Sequence, residues 1–529
     1  MARFNRLGTL LLATTASLAL AGCNGADGVA SPGEGVIVVP GTPTPTPSTP
    51  TPTPTAPGTP AASCPTGTSD AGIVGSYRGC RLPSRIEGSL SLQKVAGVAY
   101  EINGRVDVGV DIGGAGNAPG GASATLTIAP GVLIYANTTN ADNDFLVVNR
   151  GSRMNAEGTE TQPIIFTAQQ NLTGGVTDES QGLWGGIIMA GRAPISNCNA
   201  TVAGGSVNCE NVVEGTSTAL YGGATPTDNS GTVRYVQIRY SGTIISPNNE
   251  LQGLTLGGTG SGTTIDHVQV HNSSDDGIEV FGGRTNMRYL VMTGTDDDAV
   301  DTDVGWQGFI QFVLAIQKPV NTQTDNYSTE IDSNNNEDAL PRQRYTLSNF
   351  TFVQTSTATN AAIRLRGGAD ARFVNGIVVG PTACLNIVAG ADAQGKTTIR
   401  PANTALEDNG PPVFNSVLFG CANPYAETTV NNVTVTNAEM AAIFNAAGGN
   451  NVESATGLLT NGFYPAGQAT TATAFNASTL NPAGTSVLVQ TSYVGAVSGP
   501  NDTWFRGWTC NSNRANFGAT SGACTSLPS

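Results

Sequence analysis

Two consecutive segments of this chain, IDHVQVHNSSDDGIEVFGGRTN and MRYLVMTGTDDDAVDTDVGWQG, align over 22 residues, and FIQFVLAIQ opens a third copy. Val268, Leu290 and Phe312 recur at that spacing, as do Val270, Met292 and Leu314, and Ile278 corresponds to Val300. Further back, Leu254-Thr255-Leu256-Gly257-Gly258 resembles Ile278-Glu279-Val280-Phe281-Gly282. A period near 22 made only of short alternating runs has no room for a helix in each unit. Such a unit cannot bury its apolar side alone, so it must stack on copies of itself. The period predicts an all-β fold, a right-handed parallel β-helix with coils of about 22 residues. Stacked strands lie about 4.8 Å apart, with inward aliphatic side chains forming ladders.

The rest of the chain agrees. Thr125–Ile128, Phe145–Val148, Pro163–Thr167 and Gly186–Met189 read as strands separated by Gly, Asn and Pro, and no useful helical periodicity follows residue 85. The insertions Ser241–Glu250 and Lys318–Asn334 interrupt the period and are expected to bulge from one face. A β-sandwich or propeller would instead call for hairpin turns and longer blades.

The chain opens with MARFNRLGTLLLATTASLALAGC: Arg3 and Arg6 precede an apolar run, Leu7 to Leu20, too short to span a membrane. Leu20-Ala21-Gly22-Cys23 resembles the lipobox of bacterial lipoproteins. The resemblance implies a signal peptide over 1–22, a lipidated Cys23 and, with Asn24 following, sorting to the outer membrane. Residues 23–63 then form a lipid-anchored stalk. Its Pro40–Pro60 stretch favours polyproline II, and 21 residues at ~3.1 Å each reach roughly 65 Å. The expected partition continues with an N-terminal cap region over 64–120, the β-helix over 121–440, and C-terminal coils with a disulfide-stapled cap over 441–529.

Beyond residue 22 the chain has 22 basic and 39 acidic side chains, a charge of −17, which argues against nucleic acid as a partner. Eight cysteines besides Cys23 fall in neighbouring pairs: Cys64/Cys80, Cys198/Cys209, Cys384/Cys421 and Cys510/Cys524. Pairing in sequence order gives four local disulfides and an oxidising compartment, though spacing alone leaves other connectivities open.

Eight carboxylates crowd the repeat: Asp275, Asp276, Glu279, Asp296, Asp297, Asp298, Asp301 and Asp303, opposed in sequence only by Arg284 and Arg288. Stacking brings Asp275/Asp297, Asp276/Asp298 and Glu279/Asp301 to about 5 Å. Like charges there repel by about 3 kcal/mol at an effective dielectric of 20. A hard cation relieves this, and Ca2+ accepts irregular oxygen cages. Asp275, Asp276, Glu279, Asp297, Asp298 and Asp301 are therefore the expected metal ligands, and a solvated acidic turn is the bland alternative. His267 and His271 share an outward face by parity and read as surface histidines. Trp184, Trp306, Tyr235 and Tyr240 read first as packing residues and second as a sugar platform. Trp504 and Trp508 read as part of a C-terminal cap.

TIAPGVLIYA, LVVNRGSRMNAEGTETQPIIFTA, LWGGIIMAGRAPI, VRYVQIRYSG and the ending YVGAV…DTWFRGWTC occur in order across most of residues 120–510. Together they resemble bacterial right-handed β-helix lipoproteins and surface proteins. The resemblance, to a family mostly of unestablished function, implies the fold and the outer-membrane location; the role expected of such a ridged, anchored surface is non-enzymatic ligand binding or envelope contact, with a polysaccharide or surface ligand. More weakly, Ile265-Asp266-His267 with Asp276-Gly277-Ile278-Glu279 is similar to pectate-lyase-like β-helices. That similarity implies a calcium-dependent lyase with Arg364 as base, or a glycoside hydrolase using paired acids such as Asp276 and Asp298. The R-x-P-x-x-R motif of those lyases and the glycine-histidine-glycine motif of the hydrolases are absent from the sequence.

Overall fold

The computed structural model describes residues 58–140, 143–246, 249–319, 326–333, 336–390 and 395–528. Signal peptide, Cys23 and nearly all of the stalk lie outside the described residues.

One sheet of 24 strands winds into a parallel β-helix with three faces. On the first face Val236, Val268, Leu290, Val313 and Phe350 stack in register. On the second, Leu254, Ile278, Val300, Thr329 and Ile363 do so. On the third the stack is Val233, Ile265, Met287, Ile310 and Leu347. These side chains point inward and, Thr329 aside, belong to one continuous apolar core, which is what holds the register: a slip by one residue would turn every apolar side chain outward.

From Gly231 onward the third face runs into the first without a loop. The corner is a single residue at positive φ: Tyr235 at 50°, His267 at 56°, Tyr289 at 58°, Phe312 at 65°, then Asn349 at 53° and Asn375 at 58°. A left-handed residue bends the strand sharply but costs an ordinary side chain about 1–2 kcal/mol. Stacking offsets part of that cost, with ring centroids 4.3 Å apart for Tyr235–His267, 4.3 Å for His267–Tyr289 and 4.7 Å for Tyr289–Phe312. Asparagine tolerates the conformation best, and it takes over where the aromatics end. This corner corrects the sequence register: Leu290 pairs with Val313, not Phe312, and Met292 with Ala315, not Leu314. That coil carries one extra residue, and Phe312 takes the corner.

One of the two insertions departs from expectation. Ser241–Glu250 contributes an antiparallel hairpin, Thr243–Ser246 with Asn249–Leu251. Lys318–Asn334 is not all excursion, because Thr329–Ile331 is a second-face strand paired to Val300–Thr302. A helix absent from the sequence reading, Asn437–Phe444, starts at a capping box of Thr436 and Glu439. Its Met440 and Phe444 are fully buried, and Phe444 stacks at 4.1 Å on Phe419, closing the apolar end of the coils. No helix among the described residues is long and apolar enough to cross a membrane.

After this helix the chain runs back along the outside of the coils as a strap. Outward amides of the coils grip its backbone at two points each. Gln269 bonds the carbonyl and amide of Cys510 (3.1 and 2.7 Å), Gln311 those of Val489 (2.8 and 2.8 Å), and Asn375 those of Phe475 (2.9 and 2.7 Å). Trp504 and Trp508 thus lie against the corner stack, not over the last coil. Trp508 is fully buried, its ring 5.4 Å from His267. Replacing it with alanine should cost about 3–5 kcal/mol locally. Hydrogen exchange of the Cys510 amide should then quicken while the second-face strands stay protected. All four disulfides join the neighbouring cysteines: Cys64–Cys80, Cys198–Cys209, Cys384–Cys421 and Cys510–Cys524.

Candidate cation site

The second face carries the acids outward while its aliphatics point in. Glu279 and Asp301 are register partners, followed by Glu330 and then Arg364. The turn before each strand adds Asp275, Asp276, Asp297 and Asp298, and the strand ends add Asp303 and Asp332. Glu214 and Glu250 arrive from the two excursions that precede this region. These eleven carboxylates line a cleft of about 190 Å³ that also contains Gln252 and a single guanidinium, that of Arg366.

Part of the cluster is structural. Asp276 Oδ1 accepts from the amide of Asp298 at 2.8 Å, and Asp298 Oδ1 from the amide of Tyr327 at 2.5 Å. Each carboxylate therefore ties its coil to the next. Arg366 donates to Glu330 at 3.0 Å and ion-pairs with Asp332 at 2.6 Å, which neutralises that end. Elsewhere in the cleft, individual buried oxygens are left without a hydrogen bond. Asp275 and Glu279 are each 7% exposed, yet Asp275 Oδ2 and Glu279 Oε2 have no hydrogen-bond partner. A buried polar atom left without one costs about 1–3 kcal/mol, more when charged.

Burial, followed by like charge, raises these acids. Asp276 is held well above the carboxylate range by desolvation and then by Asp298, Glu279 by desolvation and then Glu214 and Asp301. Asp275, Asp301 and Asp303 shift the same way, burial leading each time. Glu214 is pushed up to about 7, again chiefly by burial.

Three ligand sets have carboxylate oxygens within 4.8 Å of one another: Glu214/Glu250/Asp275, Asp275/Asp276/Asp297 and Asp276/Glu279/Asp301. Five of the six residues expected as ligands fall in these sets. Asp298 lines the cleft but belongs to none. Asp296 lies aside, ion-paired with Lys318 at 3.1 Å. All-oxygen donors suit a hard cation such as Ca2+, and no cysteine or histidine lines the cleft among the described residues.

Other expectations change. Arg284 and Arg288 do not reach the cleft: Arg284 donates to the carbonyls of Gly283 and Gly305, and Arg288 to Asp266 at 2.6 Å. Arg364 donates to the Tyr327 hydroxyl at 2.6 Å, lies over its ring and pairs with Glu330 at 3.5 Å. His267 and His271 do face outward but are not surface residues, because the strap covers them. Burial pushes His271 down to about 3. Trp184 and Trp306 are core residues, bonded to the carbonyls of Arg239 (2.9 Å) and Thr285 (3.1 Å), and Tyr240 is fully buried.

Sequence reading missed Glu214, Glu250, Glu330, Asp332 and Arg366. Glu330 and Asp332 follow Asp301 and Asp303 by 29 residues instead of 22, so TEID repeats VDTD behind an insertion. Glu214 and Glu250 left no periodic signal.

Residues 115–509 match a family model described as a pectate-lyase like beta helix domain. Comparison with curated proteins and with solved structures yields no match.

Proposed function

The chain belongs to the pectate-lyase-like β-helix family, and from that premise we propose a calcium-holding binding protein of the bacterial envelope that acts by capture, not by turnover. The observation that carries this reading is that Asp275 Oδ2 and Glu279 Oε2, like Asp332 Oδ1 beside Arg366, are buried without a hydrogen-bond partner in a cleft lined, among the described residues, by one guanidinium. A cation in the Asp276/Glu279/Asp301 set would give Glu279 its missing partner, and water would complete the shell. An acidic polysaccharide is repelled by the bare cleft and reaches it only through bound cations. Calcium thereby makes the cleft a site for anionic sugar.

The anchoring half of the reading rests on Arg3, Arg6, the apolar run and Cys23. One lipid-modified residue followed by a proline-rich spacer would hold the β-helix clear of the outer membrane. Cys23→Ser is expected to abolish incorporation of labelled fatty acid and release the protein from membranes. Labelling that persists in the variant rejects the anchor.

A calcium-dependent lyase or glycoside hydrolase is the second reading, favoured by the family. β-Elimination needs a base, and the Arg364 guanidinium is engaged by Glu330 at 3.5 Å and by the Tyr327 ring. Acid–base hydrolysis needs two free carboxyls, whereas Asp276 and Asp298 each commit one oxygen to the next coil. Incubation with polyuronates and calcium is expected to give binding without unsaturated or reducing-end products. Product that vanishes in Asp276→Ala and Arg364→Ala would replace the binding reading with the enzymatic one.

A further inference from the structure

The excursions that bring Glu214 and Glu250 to the cleft are fastened to each other. Glu214 sits in the turn between the short strands Asn211–Val212 and Leu220–Tyr221. Its Oε1 accepts from the Glu250 amide and from Gln252 Nε2, each at 3.3 Å. Next to it, Gly215 (φ 67°) donates to Asn249 Oδ1 at 2.8 Å, and a Cβ there would lie 2.4 Å from the Glu250 carbonyl. Only glycine allows the two backbones so close. Glu214 and Glu250 are thereby brought onto Asp275, which is nine-tenths buried and presents Oδ2 with no partner. Packing three acids together while leaving an inward oxygen unbonded is costly unless something positive completes the group.

We infer that Glu214, Glu250 and Asp275 form a second divalent-cation site, separate from the Asp276/Glu279/Asp301 set, whose ion locks the two excursions onto the coils. This rests on the calcium reading above and extends it. The two outer sets share no residue, and each contains a buried oxygen without a hydrogen-bond partner, Asp275 Oδ2 in one and Glu279 Oε2 in the other. The central set, Asp275/Asp276/Asp297, borrows a ligand from each. It cannot be filled beside them, so the cleft takes two ions and not three. The first ion sits within the coil stack; the second joins stack to excursion and shapes the wall of the cleft.

The test is equilibrium dialysis of the whole protein against calcium alone, with hydrogen exchange of Val213 and Leu220–Tyr221 as a second readout. Wild type is expected to bind two ions, and calcium should slow exchange in the Glu214 turn. The double variant Glu214→Gln/Glu250→Gln should bind one ion, with exchange no longer calcium-sensitive there but still so at Ile278–Phe281. That last signal shows the variant is folded. One ion in both proteins, with no calcium effect on the turn, overturns the second site and leaves the first standing. No ion in wild type overturns both readings. A variant that loses both ions overturns the separation into two ligand sets.

Discussion

Stripping divalent cations with EGTA at pH 8 should lower the melting temperature by on the order of 5 °C, and acidifying the stripped protein toward pH 5 should recover part of the loss. An ion present at a hundredfold its Kd stabilises the state that binds it by about 2.7 kcal/mol, so two contribute about 5 kcal/mol. Unfolding entropy near 2.1 cal/mol/K per residue makes ~1 kcal/mol worth about 1 °C in a chain of this size. The pH arm follows from the direction of the shifts. Asp275, Asp276, Glu279, Asp301 and Asp303 bind protons more tightly folded than unfolded, because burial and like charge disfavour their ionised forms. Their stabilisation is complete below the unfolded values near 4 and is lost as pH rises through the folded ones, about 7 for Glu214. Calcium competes with those protons, so its effect should shrink steadily from pH 8 to pH 5. Melting curves indifferent to EGTA at pH 8 would remove calcium from the cleft.

How far the sequence reaches depends on what carries the information. The 22-residue period exposes the parallel stack because Val268, Leu290, Ile278 and Val300 must face one core, and side-chain alternation makes their register visible. It fails at Phe312, because the turn between Asp303 and Ile310 holds one extra residue, the spacing being 22 at Phe281/Asp303 and 23 from Met287/Ile310 onward. The corner is a backbone conformation, and composition does not announce a left-handed tyrosine or phenylalanine. Acids in strict register, such as Glu279 and Asp301, are legible from spacing alone. Glu330 and Asp332 required seeing through an insertion, and Glu214 and Glu250 required knowing where two irregular excursions fold. Direction outward is likewise not exposure. His267 and His271 point away from the core as parity requires, but a strap from more than 200 residues later covers them.

Glu279→Gln should make two melting curves cross. With EGTA at pH 8 the variant should be more stable than wild type, since an amide is the neutral isostere of the state the buried site prefers. It also ends the repulsion with Glu214 and Asp301, about 3 kcal/mol per ionised pair 5 Å apart at an effective dielectric of 20. In saturating calcium the order should reverse, because the variant loses a charged ligand of the Asp276/Glu279/Asp301 set. At pH 5 without calcium the difference should nearly vanish, Glu279 being protonated in the wild type already. Glu101→Gln is the contrast. Glu101 is as buried, but it pairs with Arg81 at 2.7 Å and accepts from Asn137 at 2.9 Å. Neutralising it weakens its bond to Arg81, whose half-exposed side chain can turn to water, and should destabilise by about 1.5–3 kcal/mol, the worth of a hydrogen bond between charged groups, equally with and without calcium. The same substitution at two buried glutamates should thus differ in sign, because one has its counter-charge in the chain and the other takes it from solution. If Glu279→Gln instead destabilises to the same extent in EGTA and in calcium, Glu279 is a structural acid like Glu101 and the cleft holds no cation there.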